Sequence, residues 1–313
     1  MSTSLAAAVD VDVPIPRHLA RLGEGTKARL SGDEGPLVVA LGGISADRFV
    51  CAGAGGEKGW WAGLAGPGAA LDPEHMRILG LDFAADESGA TGPSTAEQAE
   101  VLAAALDAVG AEAADLIVGA SYGGMVGLAF AGMFPERVRR LAAICAPAAP
   151  HPASTAMREL QRRVVAMGLA LGSGAEALSI ARGMAMLTYR TAEEFEGRFE
   201  TGNPDSSSLC VSAPGTYLRA RGDAYQAVMT PERFLSLSAS IDRHRVDPAR
   251  IPHPTLVIGA ESDRLVPAGQ LRALAVALPE GELHLLDSLY GHDVFLKEAD
   301  AIGRLLAPTL ATI

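Results

Sequence analysis

The sequence predicts an α/β fold, in which a mostly parallel sheet is flanked by helices and interrupted by an inserted helical segment. Three observations support this prediction. Short apolar runs alternate with helical patterns in the first half of the chain, residues 149–248 show no obvious buried strand, and strand character returns afterwards. We therefore expect a core built from residues 1–148 and 249–313, and a helical lid formed by residues 149–248.

The candidate strands are short apolar runs bounded by glycine, proline or charged residues. They lie at 36–41, 77–82, 115–118 and 138–145 before the predicted lid, and at 254–259 and 282–286 after it. A helix is predicted over 95–109, because Ser94 or Thr95 can cap its first turn and Glu97 lies within that turn. Strands and helices in this order are typical of a parallel sheet covered on both faces.

The charge of the chain excludes some partners. Its 313 residues carry a formal net charge of -11 and contain no block of lysine or arginine, which argues against a nucleic-acid or anionic-membrane surface. No apolar run approaches the roughly 18 residues of a membrane span. Residues 1–16 carry Asp10 and Asp12 within their apolar stretch and do not resemble a secretory signal. A cytoplasmic location is therefore the default expectation.

The three cysteines give no sign of a metal site or a disulfide framework. Cys51, Cys145 and Cys210 are odd in number and lack the spacing of metal ligands, which suits a reducing compartment. We expect each to be a small buried apolar residue, and we predict no metal site.

The most informative motif is Gly-Ala-Ser-Tyr-Gly-Gly at residues 119–124. It lies between the apolar run 115–118 and the helix-like stretch 125–131. A Gly-x-Ser-x-Gly sequence where a strand turns sharply into a helix is typical of the nucleophile elbow of α/β-hydrolases. The motif therefore predicts the α/β-hydrolase fold, with Ser121 as the nucleophile.

A serine nucleophile needs a base and an acid that orients the base, and in this fold they follow it along the chain as acid and then histidine. Asp263 follows the candidate strand 254–259, and His292 follows the last candidate strand. Glu261 is an alternative acid, although its position is more typical of a loop-surface carboxylate. The other six histidines lie outside the expected position. We therefore predict a catalytic triad of Ser121, Asp263 and His292.

Acyl transfer also requires an oxyanion hole, made by the backbone N–H after the nucleophile and by one N–H from the loop after an early strand. Tyr122 follows Ser121, and the turn Leu41-Gly42-Gly43 follows the first strong strand. We predict that Leu41, Gly42 and Tyr122 form the hole. The alternative is that the two glycines form only a tight turn.

Five further segments share a more specific pattern. They are Gly-Trp-Trp, Gly-Pro-Gly and Leu-Asp within 59–72, Ser-Gly-Ala-Thr-Gly-Pro-Ser at 88–94, an arginine and a tyrosine seven residues apart at 182 and 189, Tyr-Leu-Arg-Ala-Arg-Gly-Asp at 217–223, and His-Asp-Val-Phe-Leu at 292–296. Together they resemble the homoserine O-acyltransferases, a family of the α/β-hydrolase type that transfers acetyl or succinyl groups from coenzyme A. A generic esterase has no reason to carry all five.

The resemblance implies roles for three residues. Arg182 would hold the carboxylate of an amino acid, Asp293 would hold its ammonium group, and Tyr189 would line the pocket. These roles are chemically sound, because a guanidinium grips a carboxylate through paired, charge-assisted hydrogen bonds. The alternatives are an arginine on the lid surface and an aspartate that caps a helix.

The resemblance also implies a reaction. An acetyl or succinyl group would pass from acetyl-CoA or succinyl-CoA to Ser121 and then to the hydroxyl of L-homoserine, as in methionine biosynthesis, without a permanently bound cofactor. It further implies a homodimer built through the lid helices. The sequence leaves three alternatives open: an esterase or thioesterase, an O-acyltransferase that uses serine or another hydroxylated metabolite, and a non-catalytic receptor on the same fold.

Overall fold

The computed structural model describes residues 8–53, 56–200 and 212–313. Its centre is a sheet of eight strands in the order β1-β2-β4-β3-β5-β6-β7-β8. Strands β3 to β8 pair in parallel, whereas β2 runs antiparallel to both β1 and β4. The bounds are β1 Ala8–Pro14, β2 Gly25–Ser31, β3 Leu37–Leu41, β4 Arg77–Leu81, β5 Leu116–Ala120, β6 Leu141–Ile144, β7 Thr255–Ala260 and β8 Gly281–Leu286.

Ten α-helices are found in the described part of the chain. They are α1 Thr95–Ala108, α2 Tyr122–Met133, α3 Pro152–Ala170, α4 Gly174–Tyr189, α5 Ala192–Arg198, α6 Ala213–Tyr225, α7 Pro231–Asp242, α8 Ala268–Ala277, α9 Val294–Lys297 and α10 Ala299–Leu310. Short 3-10 helices cover Arg17–Leu22, Pro135–Arg137, Pro248–Arg250 and Gly291–Asp293.

Helices cover both faces of the sheet, as the sequence predicted. Successive residues of β3 point to opposite sides, because side chains alternate along a strand. Val39 packs in one apolar core with Leu102 of α1, whereas Val38 packs in a second core with Ile302 of α10. The predicted α/β fold with a mostly parallel sheet is therefore confirmed.

The two antiparallel strands at the edge were not predicted. β1 alternates valine with aspartate and is largely exposed, so it lacks the continuous apolar run of a buried strand. Its aspartates pair across the ladder with β2: Asp10 with Arg29 at 2.8 Å and Asp12 with Lys27 at 3.1 Å. Cross-strand ion pairs of this kind fit an exposed edge, where charges also discourage pairing with other chains.

Ser94 is the cap of α1, one of the two predicted candidates. Its side chain accepts a hydrogen bond from the backbone N–H of Glu97, and the Glu97 carboxylate accepts one from the backbone N–H of Ser94 at 2.6 Å. This reciprocal capping box satisfies two backbone donors that the helix start leaves unpaired. The structure therefore begins the helix at Thr95, within the predicted range.

Five helices, α3 to α7, lie between β6 and β7 and occupy the part of the chain predicted to form a lid. Helix α3 packs against α4 and α7, and α4 packs against α6. A largely buried ion-pair cluster joins α3 to α7, in which Asp242 binds Arg158 at 2.6 Å and Arg162 at 2.7 Å. The insert is thus a packed unit of helices above the sheet, with no strand among its described residues.

Helix α2 approaches β3 unusually closely. The backbone N–H of Gly123 donates to the Gly42 carbonyl at 2.8 Å, and a Cβ atom at Gly123 would collide with the backbone of Leu41. A Cβ at Gly124 would lie 2.6 Å from the Cβ of Ala146. Glycine is therefore required at 123 and 124 so that the helix can start beside the sheet.

Two sequence expectations concern the surface and the cysteines. Within the described ranges, no helix has the length and apolar character needed to cross a membrane. Cys51 and Cys145 are buried and free, as expected, whereas Cys210 lies outside the described residues.

We predict that Gly123→Ala lowers the free energy of unfolding by about 2 kcal/mol, because the added methyl group forces apart two backbone segments that cannot relax easily. Chemical denaturation followed by circular dichroism measures this change. Gly132→Ala in the same helix is the matched control, because its Cβ would lie 3.7 Å from Ile251, an ordinary contact. It should raise stability by about 0.5 kcal/mol through helix propensity. Equal effects at the two positions would contradict the prediction.

Candidate active site

Ser121 lies at the turn between β5 and α2 in a strained backbone conformation. Its φ of 53° and ψ of -118° fall in a region that residues other than glycine rarely adopt. Its N–H donates to the Ile144 carbonyl at 2.7 Å, and its carbonyl accepts from the Met125 N–H at 3.1 Å. These bonds hold the turn so that the hydroxyl stands at the carboxyl edge of the sheet.

The three side chains predicted as a triad lie in a continuous hydrogen-bonded chain. His292 Nε2 is 2.9 Å from Ser121 Oγ, and His292 Nδ1 is 2.7 Å from Asp263 Oδ2. The other carboxylate oxygen of Asp263 accepts from the backbone N–H groups of Leu265 at 2.8 Å and Val266 at 2.9 Å. Asp263 is therefore held on both oxygens, and it orients the imidazole toward the serine.

The electrostatics around His292 favour its protonated form. The ring is buried, and burial alone lowers its pKa, but the charge of Asp263 and the hydrogen bond from Nδ1 to that carboxylate raise the pKa above the ordinary value of 6.5. Asp293 acts in the same direction, and the positive charge of Arg158 opposes it. An imidazole in this setting can take a proton from Ser121 and hold it as a stabilised cation.

Glu261, the alternative acid, lies elsewhere. Its side chain is exposed and pairs with Arg272 at 2.5 Å. The structure brings Asp263, and not Glu261, to the histidine.

The predicted oxyanion residues Leu41, Gly42 and Tyr122 lie at two turns near Ser121. Leu41 is the last residue of β3, and the Trp60 ring covers Gly42 so closely that a Cβ atom at Gly42 would lie 2.9 Å from it. Neither Leu41 nor Gly42 lines the cavity beside Ser121. Gly43 does line it. Neither Gly43 nor Tyr122 donates its backbone N–H to another group of the described residues. Gly43 and Tyr122 are therefore the residues of these two turns that line the cavity and have a backbone N–H without a described acceptor.

Tyr122 is anchored away from the cavity by its side chain. The ring is buried against Phe83, and its hydroxyl lies 2.6 Å from Ser240 Oγ. Burial raises the pKa of Tyr122 to about 12, so the hydroxyl stays neutral. Its side chain therefore positions the first turn of α2 and takes no part in the serine–histidine chain.

A single cavity joins the sheet edge to the inserted helices. Its walls combine apolar side chains with a few polar ones from both parts of the chain, as is usual for small-molecule sites. Its lining includes Gly43, Trp60, Ser121, Arg158, Gln161, Arg182, Tyr189, His292 and Asp293.

Arg182 has a guanidinium that is available to a ligand. The group stacks over Tyr225 at 4.6 Å and over Tyr189 at 5.5 Å, and it forms no ion pair with any described residue. Stacking on aromatic faces stabilises the cation while leaving its N–H groups free. Tyr189 lies beside His292, with ring centroids 5.8 Å apart. The structure thus brings Arg182 and Tyr189 to the cavity that contains Ser121.

Asp293 also lines the cavity, and Arg190, a residue that sequence reasoning missed, lies against it. Arg190 is buried and pairs with Asp293 Oδ2 at 3.3 Å, with Glu194 at 3.2 Å and with the Tyr217 hydroxyl at 2.5 Å. Only one oxygen of Asp293 is used in this way. The other has no hydrogen-bond partner among the described residues and is available to a cationic group. Adjacency to Tyr189 was the only sequence signal for Arg190.

Two of the shared motifs have structural roles. In the segment 217–223, Gly222 packs against Ser179, and Asp223 accepts a hydrogen bond from the Ser179 hydroxyl at 2.7 Å, which joins α6 to α4. In the Gly-Trp-Trp segment, Trp61 donates its indole N–H to the Phe295 carbonyl at 2.9 Å. These motifs hold Arg182 and the segment after His292 in place.

Cys145, Asp263 and His292 are the one group of metal-ligand side chains found within the described ranges. Burial raises the pKa of the Cys145 thiol well above its ordinary value, and the negative charge of Asp263 acts in the same direction. A neutral thiol is a poor ligand. The other two side chains are already bonded to each other, so the donor set fits hydrogen bonding better than metal binding.

Comparison with known proteins identifies the fold class of the chain. The family model described as the alpha/beta hydrolase fold matches residues 49–299. The structure of esterase E22 superposes with a TM-score of 0.84 over 98% of this chain and all of that protein at 16% identity, a likeness of fold alone. The chain is an α/β hydrolase by fold.

Two curated relatives identify the family more closely. A homoserine O-succinyltransferase of Xanthomonas campestris is 43% identical over 286 residues, which are 90% of this chain and 78% of that protein. A homoserine O-acetyltransferase of Thermus thermophilus is 32% identical over 282 residues, with 80% and 72% covered. The chain therefore belongs to the homoserine O-acyltransferase family and is an acyltransferase.

The raised pKa of His292 predicts how the reactivity of Ser121 depends on pH. Only the neutral imidazole can accept the serine proton, so the rate of labelling by a fluorophosphonate should be lost as the pH falls through the pKa of His292. We expect the midpoint to lie above 6.5. Stopped labelling reactions read by mass spectrometry give the profile, and a midpoint below 6.5 would show that the environment of His292 is different.

Two isosteric substitutions control this measurement. Asp263→Asn removes the main charge that holds the proton on His292, so the midpoint should move to lower pH and the labelling rate should fall by about 10³-fold or more. Glu261→Gln should change neither, since that carboxylate lies at the surface beside Arg272.

Proposed function

We propose that the protein is a coenzyme A-dependent O-acyltransferase that moves an acetyl or succinyl group to the hydroxyl of L-homoserine through an acyl-serine intermediate. The observation that carries the proposal is the cavity itself. It holds the hydrogen-bonded chain of Ser121, His292 and Asp263 together with a free guanidinium, Arg182. The names of the two relatives support homoserine as the acceptor, and they differ in the acyl group.

In the first half-reaction, His292 takes the proton of Ser121 as Oγ attacks the thioester carbon. The negative charge that develops on the carbonyl oxygen is stabilised by the N–H groups of Tyr122 and Gly43, the two free donors at the cavity wall. His292 then gives its proton to the departing thiolate, and the acyl group stays on Ser121. Asp263 holds the ring and stabilises its charge throughout.

In the second half-reaction, the amino acid binds with its carboxylate at Arg182 and its ammonium group at the free oxygen of Asp293. Asp293 directly follows His292 in the chain, so an acceptor bound there has its hydroxyl close to the base. His292 takes the hydroxyl proton as the oxygen attacks the acyl-serine ester, and it returns the proton to Ser121. Arg190 holds Asp293 in position through their ion pair.

The inserted helices favour transfer over hydrolysis. Water competes for the acyl-serine, and a covered cavity with apolar walls lowers its access. Helices α3 and α4 supply much of that cover, including Met157 and Tyr189. This is the function we assign to residues 149–248 as a lid on the core formed by 1–148 and 249–313.

The main alternative is an esterase or thioesterase, in which water completes the reaction. It would need the serine–histidine chain but neither the free guanidinium of Arg182 nor the carboxylate of Asp293 beside it. A non-catalytic receptor is disfavoured by the intact hydrogen-bonded triad, which such a protein has no need to keep. Serine, one carbon shorter than homoserine, is the alternative acceptor.

The wider setting follows from the same proposal. The product would serve methionine biosynthesis in the cytoplasm, and acyl-CoA would be a co-substrate with no bound cofactor. A homodimer formed through the lid helices stays a prediction. It is supported by exposed apolar side chains on α3 and α4, among them Leu160, Met167, Ile180 and Leu187.

We predict that thiol release from acetyl-CoA or succinyl-CoA rises at least tenfold when L-homoserine is added, because the acceptor takes the acyl group faster than water does. Ellman's reagent measures the thiol, and mass spectrometry identifies the O-acyl amino acid. Ser121→Ala should abolish both. A rate of thiol release that is the same with and without homoserine would favour the esterase. A larger increase in that rate with serine than with homoserine would identify serine as the acceptor.

We further predict that Arg182→Ala raises the KM for homoserine by about 10- to 100-fold, because a charge-assisted carboxylate contact is lost. Acylation of Ser121 without acceptor should change much less. Arg221→Ala, on the exposed side of α6, is the control and should leave both unchanged. An unaltered KM for homoserine in Arg182→Ala would contradict the proposal that Arg182 binds the carboxylate of the amino acid.

A further inference from the structure

Gln161 is a largely buried residue whose side chain lines the cavity. Its side chain is 3% exposed and lines the cavity that contains Ser121. The amide makes no hydrogen bond with any group in the described part of the chain. Polar groups in the interior of native proteins are usually hydrogen-bonded, and an amide that lines a cavity can satisfy this need through a bound molecule. The group therefore points to a polar ligand in the cavity.

Arg158 lies on the same face of α3, three residues earlier, and is also buried at 8% exposure. Its Nε and Nη2 atoms donate to Asp242 Oδ1 at 2.8 and 2.6 Å, and Nη2 lies 3.3 Å from Thr155 Oγ1. Its Nη1 atom makes no hydrogen bond within the described residues. One nitrogen of the guanidinium is thus left for a ligand.

The charge around Arg158 favours an anion. Asp242 is shared with Arg162, whose Nη1 lies 2.7 Å from Asp242 Oδ2. Two guanidinium groups and one carboxylate leave this cluster with a net charge of +1. The cavity thus contains two separate cationic positions, Arg158 on α3 and Arg182 on α4. The second is already assigned to the amino acid's carboxylate.

We propose that Arg158 and Gln161 form an acyl subsite for a donor whose acyl group ends in a carboxylate, that is, the mono-thioester of a short dicarboxylic acid such as succinate. The inference rests on the acyl transfer proposed above. Arg158 and Gln161 line the same cavity, and Arg158 Nη1 and Gln161 Nε2 can each donate to one oxygen of a carboxylate. An acetyl group has nothing to offer them and would leave both unpaired.

The distal carboxylate takes no part in bond making. Ser121 Oγ forms an ester bond to the thioester carbonyl carbon, the carbon–sulfur bond breaks, and the serine proton passes through His292 to the departing thiolate. The distal carboxylate stays ionised at Arg158 and holds the acyl chain while the acceptor enters. A neutral acyl group would leave the donors of Arg158 and Gln161 without a partner. Unpaired donors of this kind discriminate strongly against a substrate that lacks the matching group.

The test compares succinyl-CoA with butyryl-CoA, which has the same four-carbon chain without the distal carboxylate, and with acetyl-CoA. We expect the wild-type kcat/KM for succinyl-CoA to exceed that for butyryl-CoA at least tenfold, with homoserine as acceptor. Gln161→Met keeps the length of the side chain without its donors, and Arg158→Lys keeps the charge but loses the planar group. Each should lower the succinyl-to-butyryl ratio at least tenfold.

Matched controls are Gln226→Met and Arg163→Lys, both at exposed positions of the inserted helices. Their ratio should equal that of the wild type. If Arg158→Lys does not fold because its pair with Asp242 fails, Gln161→Met decides alone. No preference for succinyl-CoA in the wild type, or an unchanged ratio in folded Gln161→Met, overturns the proposal.

Acylation without acceptor separates this inference from the proposed function. Intact-protein mass spectrometry measures how fast each acyl group appears on Ser121. If Ser121 is succinylated preferentially but the succinyl group is never transferred to homoserine, the acyl subsite is supported and homoserine is ruled out as the acceptor. If the acyl group is transferred to homoserine equally well from succinyl-CoA and butyryl-CoA, the proposed transferase function is supported and the acyl subsite is ruled out. If no acyl group appears on Ser121 with any donor, both the proposed function and the acyl subsite are ruled out.

Discussion

The parallel alignment of β5, β6 and β7 is the constraint on which the site depends. The Ser121 N–H donates to the end of β6, and the Cys145 N–H donates in turn to Ile258 in β7, both at 2.7 Å. The carboxyl ends of the three strands therefore meet at one edge, where ligand sites of α/β sheets usually form. Asp263 follows β7 and His292 follows β8, so residues far apart in the chain meet there. The glycines of α2 let the helix begin close enough to β3 to hold this arrangement.

The sheet holds Ser121, and in the proposed function the inserted helices recognise the substrates. Core loops hold Ser121, Asp263 and His292 through backbone hydrogen bonds that tolerate little movement. In the proposed function, the charges that recognise the substrates come largely from α3 and α4, where each cation is stabilised by stacking or by a carboxylate. Arg182 rests on two tyrosine rings, and Arg158 rests on Asp242. A fold shared with esterases can thus acquire transfer chemistry through its insert, without any change in the triad.

Burial also explains why these charges can act strongly. Interactions between charges weaken in water and strengthen where water is excluded. Asp293 and its partner Arg190 lie in such a place, beside an imidazole whose pKa is raised by Asp263. In the proposed function, the same exclusion of water strengthens the substrate contacts and protects the acyl-serine from hydrolysis. Recognition and protection of the intermediate would then have one physical origin, the cover that α3 and α4 largely form over the cavity.

The sequence by itself determined the parallel core, the elbow, and the order of Ser121, Asp263 and His292, because strand periodicity and turn chemistry are local properties. It missed β1 and β2, since an edge strand that alternates valine and aspartate lacks a buried run. It predicted an oxyanion donor in the turn after β3, but not that Gly43 is the residue of this turn that lines the cavity. Only the tertiary structure paired Arg190 with Asp293, 103 residues away, and brought Gln161 to the wall of the cavity without a hydrogen-bond partner among the described residues. Such facts depend on which surfaces meet after folding, and no local pattern carries them.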